Sequence, residues 1–121
     1  MRHRFGKGRG GHFLETLVLL LIAEQPSHGY EIAKKLSELG FDFGNIAVMG
    51  NLYRLLSRLE MQGLARSQWD LCDPGPARRV YKITEAGKEF LEFCAERLKF
   101  QKHMLEEFFK RYEKLSDQRR E

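Results

Sequence analysis

The sequence predicts a mainly α protein with a small β-hairpin, in the α+β class. Three observations carry this expectation. Three stretches before residue 62 place apolar residues at helical spacing. Two short strand-like runs, 64–71 and 78–84, flank the turn-forming segment Asp73-Pro74-Gly75-Pro76. A last stretch, from 85 to about 115, keeps its apolar pattern unbroken, enough for a helix of about 45 Å. The order is helix, helix, helix, strand, strand, helix. That is a winged helix-turn-helix followed by a long C-terminal dimerisation helix.

The first eleven residues, MRHRFGKGRGG, are basic and glycine-rich and are expected to form a flexible arm. The first helix is expected from His12 or Phe13 to Glu24, ended by Pro26. Its run Leu17-Val18-Leu19-Leu20-Leu21-Ile22-Ala23 is apolar on more than one side, so Leu17 and Leu21 are assigned to a partner surface. It is far shorter than the ~20 residues of a membrane span. Ser27 is the expected N-cap of a second helix over 28–39, with Tyr30, Ile32, Ala33 and Leu36 setting its packing and Lys34 and Lys35 outward. Gly40 closes it. A loop with Phe41 and Phe43 leads to the third helix.

That third helix turns Leu52, Leu55, Leu56, Leu59 and Met61 inward and Tyr53, Arg54, Ser57 and Arg58 elsewhere. Gly63 stops it. Trp69 in the first strand is expected to pack across the hairpin on Val80 or Tyr81. Thr84 is the expected N-cap of the last helix. There Leu91, Leu98, Leu105 and Tyr112 recur every seven residues, followed at three by Cys94, Gln101, Phe108 and Leu115. This heptad seam predicts pairing with a second copy of the chain. The expected organisation is an arm over 1–11, the winged domain over 12–84, the dimerisation helix over 85–116 and a tail over 117–121.

The chain has 121 residues, 42% hydrophobic and 31% charged, with a net charge of +4. These values suit one ordinary globular domain, and the positive balance favours an anionic partner. A helix with a basic outer side, followed by a hairpin carrying Arg78 and Arg79, is shaped to grip double-stranded DNA. Asn51 suits adenine or phosphate, Arg54 and Arg58 phosphate or guanine, Tyr53 phosphate, and Arg78 and Arg79 the minor groove or backbone. On the second helix Ser27, His28, Tyr30 and Lys34 are the expected backbone contacts. No Gly-rich phosphate loop, nucleophile elbow or zinc-ligand spacing occurs, so neither an enzyme nor a bound cofactor or metal is expected. Cys72 and Cys94, without a signal-peptide pattern, suit reduced thiols in the cytoplasm.

Three segments together resemble the PadR-like transcriptional regulators. They are Leu20-Leu21-Ile22-Ala23 with Pro26-Ser27-His28-Gly29-Tyr30-Glu31-Ile32; Gly50-Asn51-Leu52-Tyr53-Arg54-Leu55-Leu56 with Leu59-Glu60 and Gly63-Leu64; and Gly75-Pro76-Ala77-Arg78-Arg79-Val80-Tyr81-Lys82-Ile83-Thr84-Glu85-Ala86-Gly87. The resemblance covers roughly residues 13 to 90. It implies a homodimeric, cytoplasmic winged-helix repressor of the short form with a single C-terminal helix. It also implies the third helix in the major groove and the wing near the minor groove. Val48, Met49, Gly50 and Asn51 stand where the family has a Pro-Gly-Thr-like start, so the third helix is expected to begin earlier, capped by Asn45. The aromatic surface holding Phe93 and Phe100 is either dimer core or a site for a small hydrophobic effector. The rival from another class is a winged-helix protein–protein interaction module without DNA binding.

Overall fold

A computed structural model describes residues 2–42, 46–71 and 78–120. The hairpin turn with Cys72, the loop residue Phe43 and the expected cap Asn45 lie outside the described residues. The elements run α1 (Arg2–Glu24), β1 (Ser27–His28), α2 (Gly29–Glu38), α3 (Ile46–Met61), β2 (Ala65–Asp70), β3 (Arg78–Ile83) and α4 (Glu85–Arg120). Two compact units divide the chain, Met1–Leu91 and Glu92–Glu121.

In the first unit, Val18, Leu19 and Ile22 of α1 meet Ile32, Ala33 and Leu36 of α2. Leu52, Leu55, Leu56 and Leu59 of α3, Ala65 and Tyr81 close the same core. The helical spacing of these apolar residues is what holds the three helices together, since most helical stability comes from packing an apolar face and the ten-residue α2 would be marginal alone. Leu21, expected on a partner surface, is 6% exposed and belongs to this core. Leu17 and Leu91 are partly buried and pack on it. Met61, expected inward, is 85% exposed. It is the last residue of α3, where the chain turns away and no facing element remains to cover it.

The α2 and α3 ends share one device. Gly40 and Gly63 take positive φ, +107° and +78°, and each follows its helix as the left-handed closing residue. The Leu64 N–H then donates to the Leu59 carbonyl at 2.9 Å and that of Gly63 to Glu60 at 3.0 Å. Phe41 and Gly40 repeat the pattern on Leu36 and Ser37. Thr84 caps α4 as expected: its Oγ1 accepts from the Gly87 N–H at 3.0 Å and donates to the Gly63 carbonyl at 2.6 Å. A Cβ at Gly87 would collide with the Leu64 carbonyl oxygen, so glycine there lets the start of α4 lie against the α3–β2 connection.

Four boundaries differ from expectation. The stretch 1–11, expected as a loose arm, is helical from Arg2, because adding turns to an existing helix avoids the cost of nucleation. The tail expected from 117 continues as α4 to Arg120 for the same reason. Ser27 is not the cap of α2. It lies in β1, 3% exposed, with its hydroxyl donating to the Gln25 carbonyl at 2.8 Å. The cap is His28, whose N–H donates to the Glu31 carboxylate at 2.7 Å. Finally, the hairpin is one part of a three-stranded antiparallel sheet ordered β1-β3-β2. Ser27 faces Tyr81, and Ser67 faces Tyr81 from the other side.

Candidate nucleic-acid interface

The outer side of α3 is built by the burial of its inner side. With Leu52, Leu55, Leu56 and Leu59 fixed in the core, the 3.6-residue period turns Asn51, Tyr53, Arg54, Ser57 and Arg58 outward, and all five are exposed. Arg54 donates from Nη2 to Asn51 Oδ1 at 2.5 Å. Arg58 does not stand free. Its Nη2 lies 2.7 Å from Glu15 Oε2 on α1, while 54% of the side chain stays exposed.

The wing's two arginines point to opposite faces of the sheet. Alternation along β3 puts Tyr81 and Ile83 on the core side, and Arg79 with them. Arg79 donates to Ser67 Oγ at 2.8 Å and lies 3.8 Å from Glu60. Glu60 also accepts from the Ser67 N–H at 3.0 Å and the Ser67 hydroxyl at 2.8 Å, which ties the end of α3 to β2. The guanidinium of Arg79 lies 5.0 Å from the Trp69 ring centre. Trp69, expected against Val80 or Tyr81, thus has Arg79 over its ring. It pairs with Arg79 in register and is 55% exposed, because the hairpin runs past the edge of the core at that point.

Arg78, on the other face, reaches across to α2. Its Nη1 donates to the Tyr30 hydroxyl at 2.8 Å, and its guanidinium lies 4.9 Å from the Tyr30 ring centre. Tyr30, expected in the packing of α2, is 48% exposed and stacks on the His28 ring at 5.4 Å. His28 is not a free phosphate donor. Its ring nitrogens face Glu31 at 3.0 Å and Asp70 at 3.3 Å, and its side chain is 13% exposed. A neutral imidazole can donate to only one of those carboxylates. Ser27 likewise has its hydroxyl engaged within the chain. Lys34 is exposed on α2.

Two titrations follow from this geometry. The His28 backbone N–H holds the Glu31 carboxyl below its ordinary value; the His28 ring and Lys35 add to the effect and burial opposes it. Burial pushes the Tyr81 phenol up, with Arg79 offsetting part of the rise.

The structure thus brings together Asn51, Tyr53 and Arg54 on α3, and Tyr30 with Arg78 at the α2–wing junction. It adds acidic partners that spacing does not reveal: Glu15, Glu60 and Asp70 lie far in sequence from the groups they hold. In the second unit, Phe93, Phe100, Leu105, Phe108 and Tyr112 are all more than half exposed. Gln101 is exposed, and Cys94 and Leu98 are half-buried. Phe108 stacks on Tyr112 at 6.1 Å. Among the described residues, no three His, Cys, Asp or Glu side chains gather as metal ligands would, and no helix is long and apolar enough to cross a membrane.

Comparison with known proteins agrees with this architecture. Residues 18–93 match the family described as "Transcriptional regulator PadR-like family". The transcriptional regulator Rv3488 of Mycobacterium tuberculosis is 39% identical over 69 residues, covering 57% of this chain and 60% of that protein. The solved structure of a PadR-like transcription factor from Bacteroides fragilis superposes with a TM-score of 0.73 at 27% identity, over 87% of this chain and 98% of that one. A PadR-like regulator from Bacillus cereus gives 0.71 at 27% identity, over 90% and 97% of the two chains.

Proposed function

The chain belongs to the PadR-like family of transcriptional regulators, and from that premise we propose that it is a homodimeric repressor acting in the cytoplasm on a near-palindromic operator. The observation that carries the reading is the outer side of α3. Asn51, Tyr53, Arg54 and Arg58 stand exposed on a helix whose opposite side is locked into the core. Asn51 has the donors and acceptor to read a base edge in a major groove, and Arg54 beside it has donors for phosphate or guanine. Tyr30, Lys34, Arg78 and Arg79 flank that helix with groups suited to phosphate.

The exposed aromatic side of α4 supports pairing of two chains, with Leu98, Leu105, Phe108 and Tyr112 facing their counterparts. Two paired chains would set their α3 helices into successive major grooves about 34 Å apart. Phe93 and Phe100 are proposed as the contact for a small hydrophobic effector whose binding shifts the angle between the wings and releases DNA.

The test is selection of bound fragments from a random duplex pool, followed by the double variant Arg54→Ala/Arg58→Ala. Enrichment of a near-palindrome, lost in the variant, supports the reading. A protein that enriches no sequence, or a variant that binds unchanged, rejects it. Capture of another protein through α4 alongside that failure would favour an interaction module instead.

A further inference from the structure

Gly29 is the first residue of α2 and is buried. A Cβ built there would lie 2.5 Å from Tyr53 Cε1, 2.7 Å from its Oη and 2.8 Å from its Cζ. Real Cβ atoms essentially never approach a neighbour that closely. With the Tyr53 ring where it lies, only hydrogen fits between it and the α2 backbone, and a side chain at position 29 would have to push the tip of the ring aside. The backbone itself does not ask for glycine: positive φ occurs at Gly40 and Gly63, not at Gly29. It is the seated position of the ring that leaves no room for a side chain. The contact joins the first turn of α2 to α3, the two helices of the helix-turn-helix.

The other side of the ring meets solvent, since Tyr53 is 44% exposed. The hydroxyl end of the ring rests on Gly29 at the start of α2, and among the described residues that hydroxyl has no hydrogen-bond acceptor. We propose that Gly29 is a positioning residue of the DNA interface: its missing side chain is the seat of Tyr53, and the seated ring presents the Tyr53 hydroxyl to a DNA phosphate. This rests on the DNA-binding reading above. A neutral hydroxyl supplies a hydrogen bond to phosphate without adding charge, so it fixes register on the backbone rather than general attraction.

The experiment uses the full chain and a duplex isolated from a random pool by the wild-type protein, with affinity read by fluorescence anisotropy across a salt series. Tyr53→Phe keeps the ring and its seat and removes only the donor. It is expected to bind roughly tenfold more weakly, the size of a lost hydrogen bond to a charged group. Its salt dependence and melting temperature stay as in wild type. Gly29→Ala is expected to weaken binding at least as much, because it unseats the ring. In a Tyr53→Ala background, Gly29→Ala is expected to cost nothing more.

Two results would overturn the inference: Tyr53→Phe binding as wild type, or Gly29→Ala weakening binding by the same factor in both backgrounds. Should Gly29→Ala alone fail to fold, Tyr53→Phe still decides the donor. Comparing Gly29→Ala/Tyr53→Ala with Tyr53→Ala then decides the seat, which requires folding to return once the ring is gone. Wild-type protein that selects no duplex rejects DNA binding itself. Selection that survives, is lost in Arg54→Ala, and is untouched by Tyr53→Phe rejects only the phosphate contact of Tyr53 and the positioning role of Gly29.

Discussion

Replacing Leu105 and Phe108 by alanine is expected to take two chains apart without unfolding the winged unit. Both side chains are 57% exposed and both lie in the second compact unit, 92–121. Full burial of a leucine or phenylalanine contributes about 1.5–3 kcal/mol, so covering the exposed part of each contributes about 1–2 kcal/mol. Two positions in two subunits give four side chains and about 4–8 kcal/mol. At about 1.4 kcal/mol per decade, the dimer dissociation constant rises by about three to six decades. That figure is an upper bound, because it takes each side chain as wholly covered by the partner. Sedimentation equilibrium over a wide concentration range reads the shift. Circular dichroism and thermal melting check that the core around Leu19, Leu36 and Leu56 is intact. Operator affinity should fall in parallel, since each half-site would then be held by one weakly bound subunit. A wild-type chain that sediments as a monomer at high concentration refutes the reasoning, as does a double variant with an unchanged dissociation constant.

Three further outcomes can be checked. Arg54→Ala should weaken binding to all duplexes and lower the slope of log affinity against log salt by about one, the signature of one lost phosphate contact; an unchanged slope with altered sequence preference would instead assign Arg54 to a base. Glu31 has a folded-state pKa below its ordinary 4.5, so the stability it adds is present above that value and lost as pH falls through the lower, folded one. Urea midpoints measured from neutral to acid pH should show this loss, reduced in Glu31→Gln; the difference is small because the carboxylate is 44% exposed. Gly87→Ala should lower the melting temperature, since its Cβ meets the Leu64 carbonyl and overpacking of that kind costs about 1–3 kcal/mol, more than the ~1 kcal/mol of helix propensity gained; a melting temperature at or above wild type would show that the α4 start shifts freely.

Much of the fold was legible because it depends on local rules. Leucines at 52, 55, 56 and 59 specify an inner face whatever surrounds them. The left-handed turn at Gly63 and the cap bond from Gly87 to Thr84 act within a few residues, so the end of α3 and the cap of α4 fall as expected. The failures share a different cause. β1 has two residues, too few for any period, and exists because β3 offers it a free edge. Once Ser27 joins that edge, it is buried and the capping role passes to His28. Met61 fits the helical period but lies beyond the last turn that the core covers. Trp69 looks like a packing residue by type, yet the hairpin extends past the core and leaves it against Arg79. The acidic partners of the arginines were not legible at all. Nothing in spacing links Glu15 to Arg58.

Those partners bear on how the interface would work. A guanidinium held by a carboxylate must give up that bond, or share it, before a phosphate gains from it. Arg58 and Arg79 are in that position, at 2.7 Å from Glu15 and 3.8 Å from Glu60. Arg54 and Arg78 are held instead by neutral oxygens, of Asn51 and Tyr30. Exchange of a neutral acceptor for phosphate gains charge attraction outright, whereas exchange of a carboxylate mostly trades one anion for another and leaves the carboxylate near the DNA. Since Arg58 and Arg79 remain about half exposed, neither is sealed off from a duplex. The exposed charge of this surface is therefore divided in kind. Arg54 and Arg78 suit the gain in affinity, while the Glu15–Arg58 and Glu60–Arg79 pairs tie α1 to α3 and α3 to the wing. On the proposed reading, that division leaves Arg54 and Arg78 to attract DNA while the two ion pairs, half-exposed as they are, add a modest tie between α3 and its neighbours.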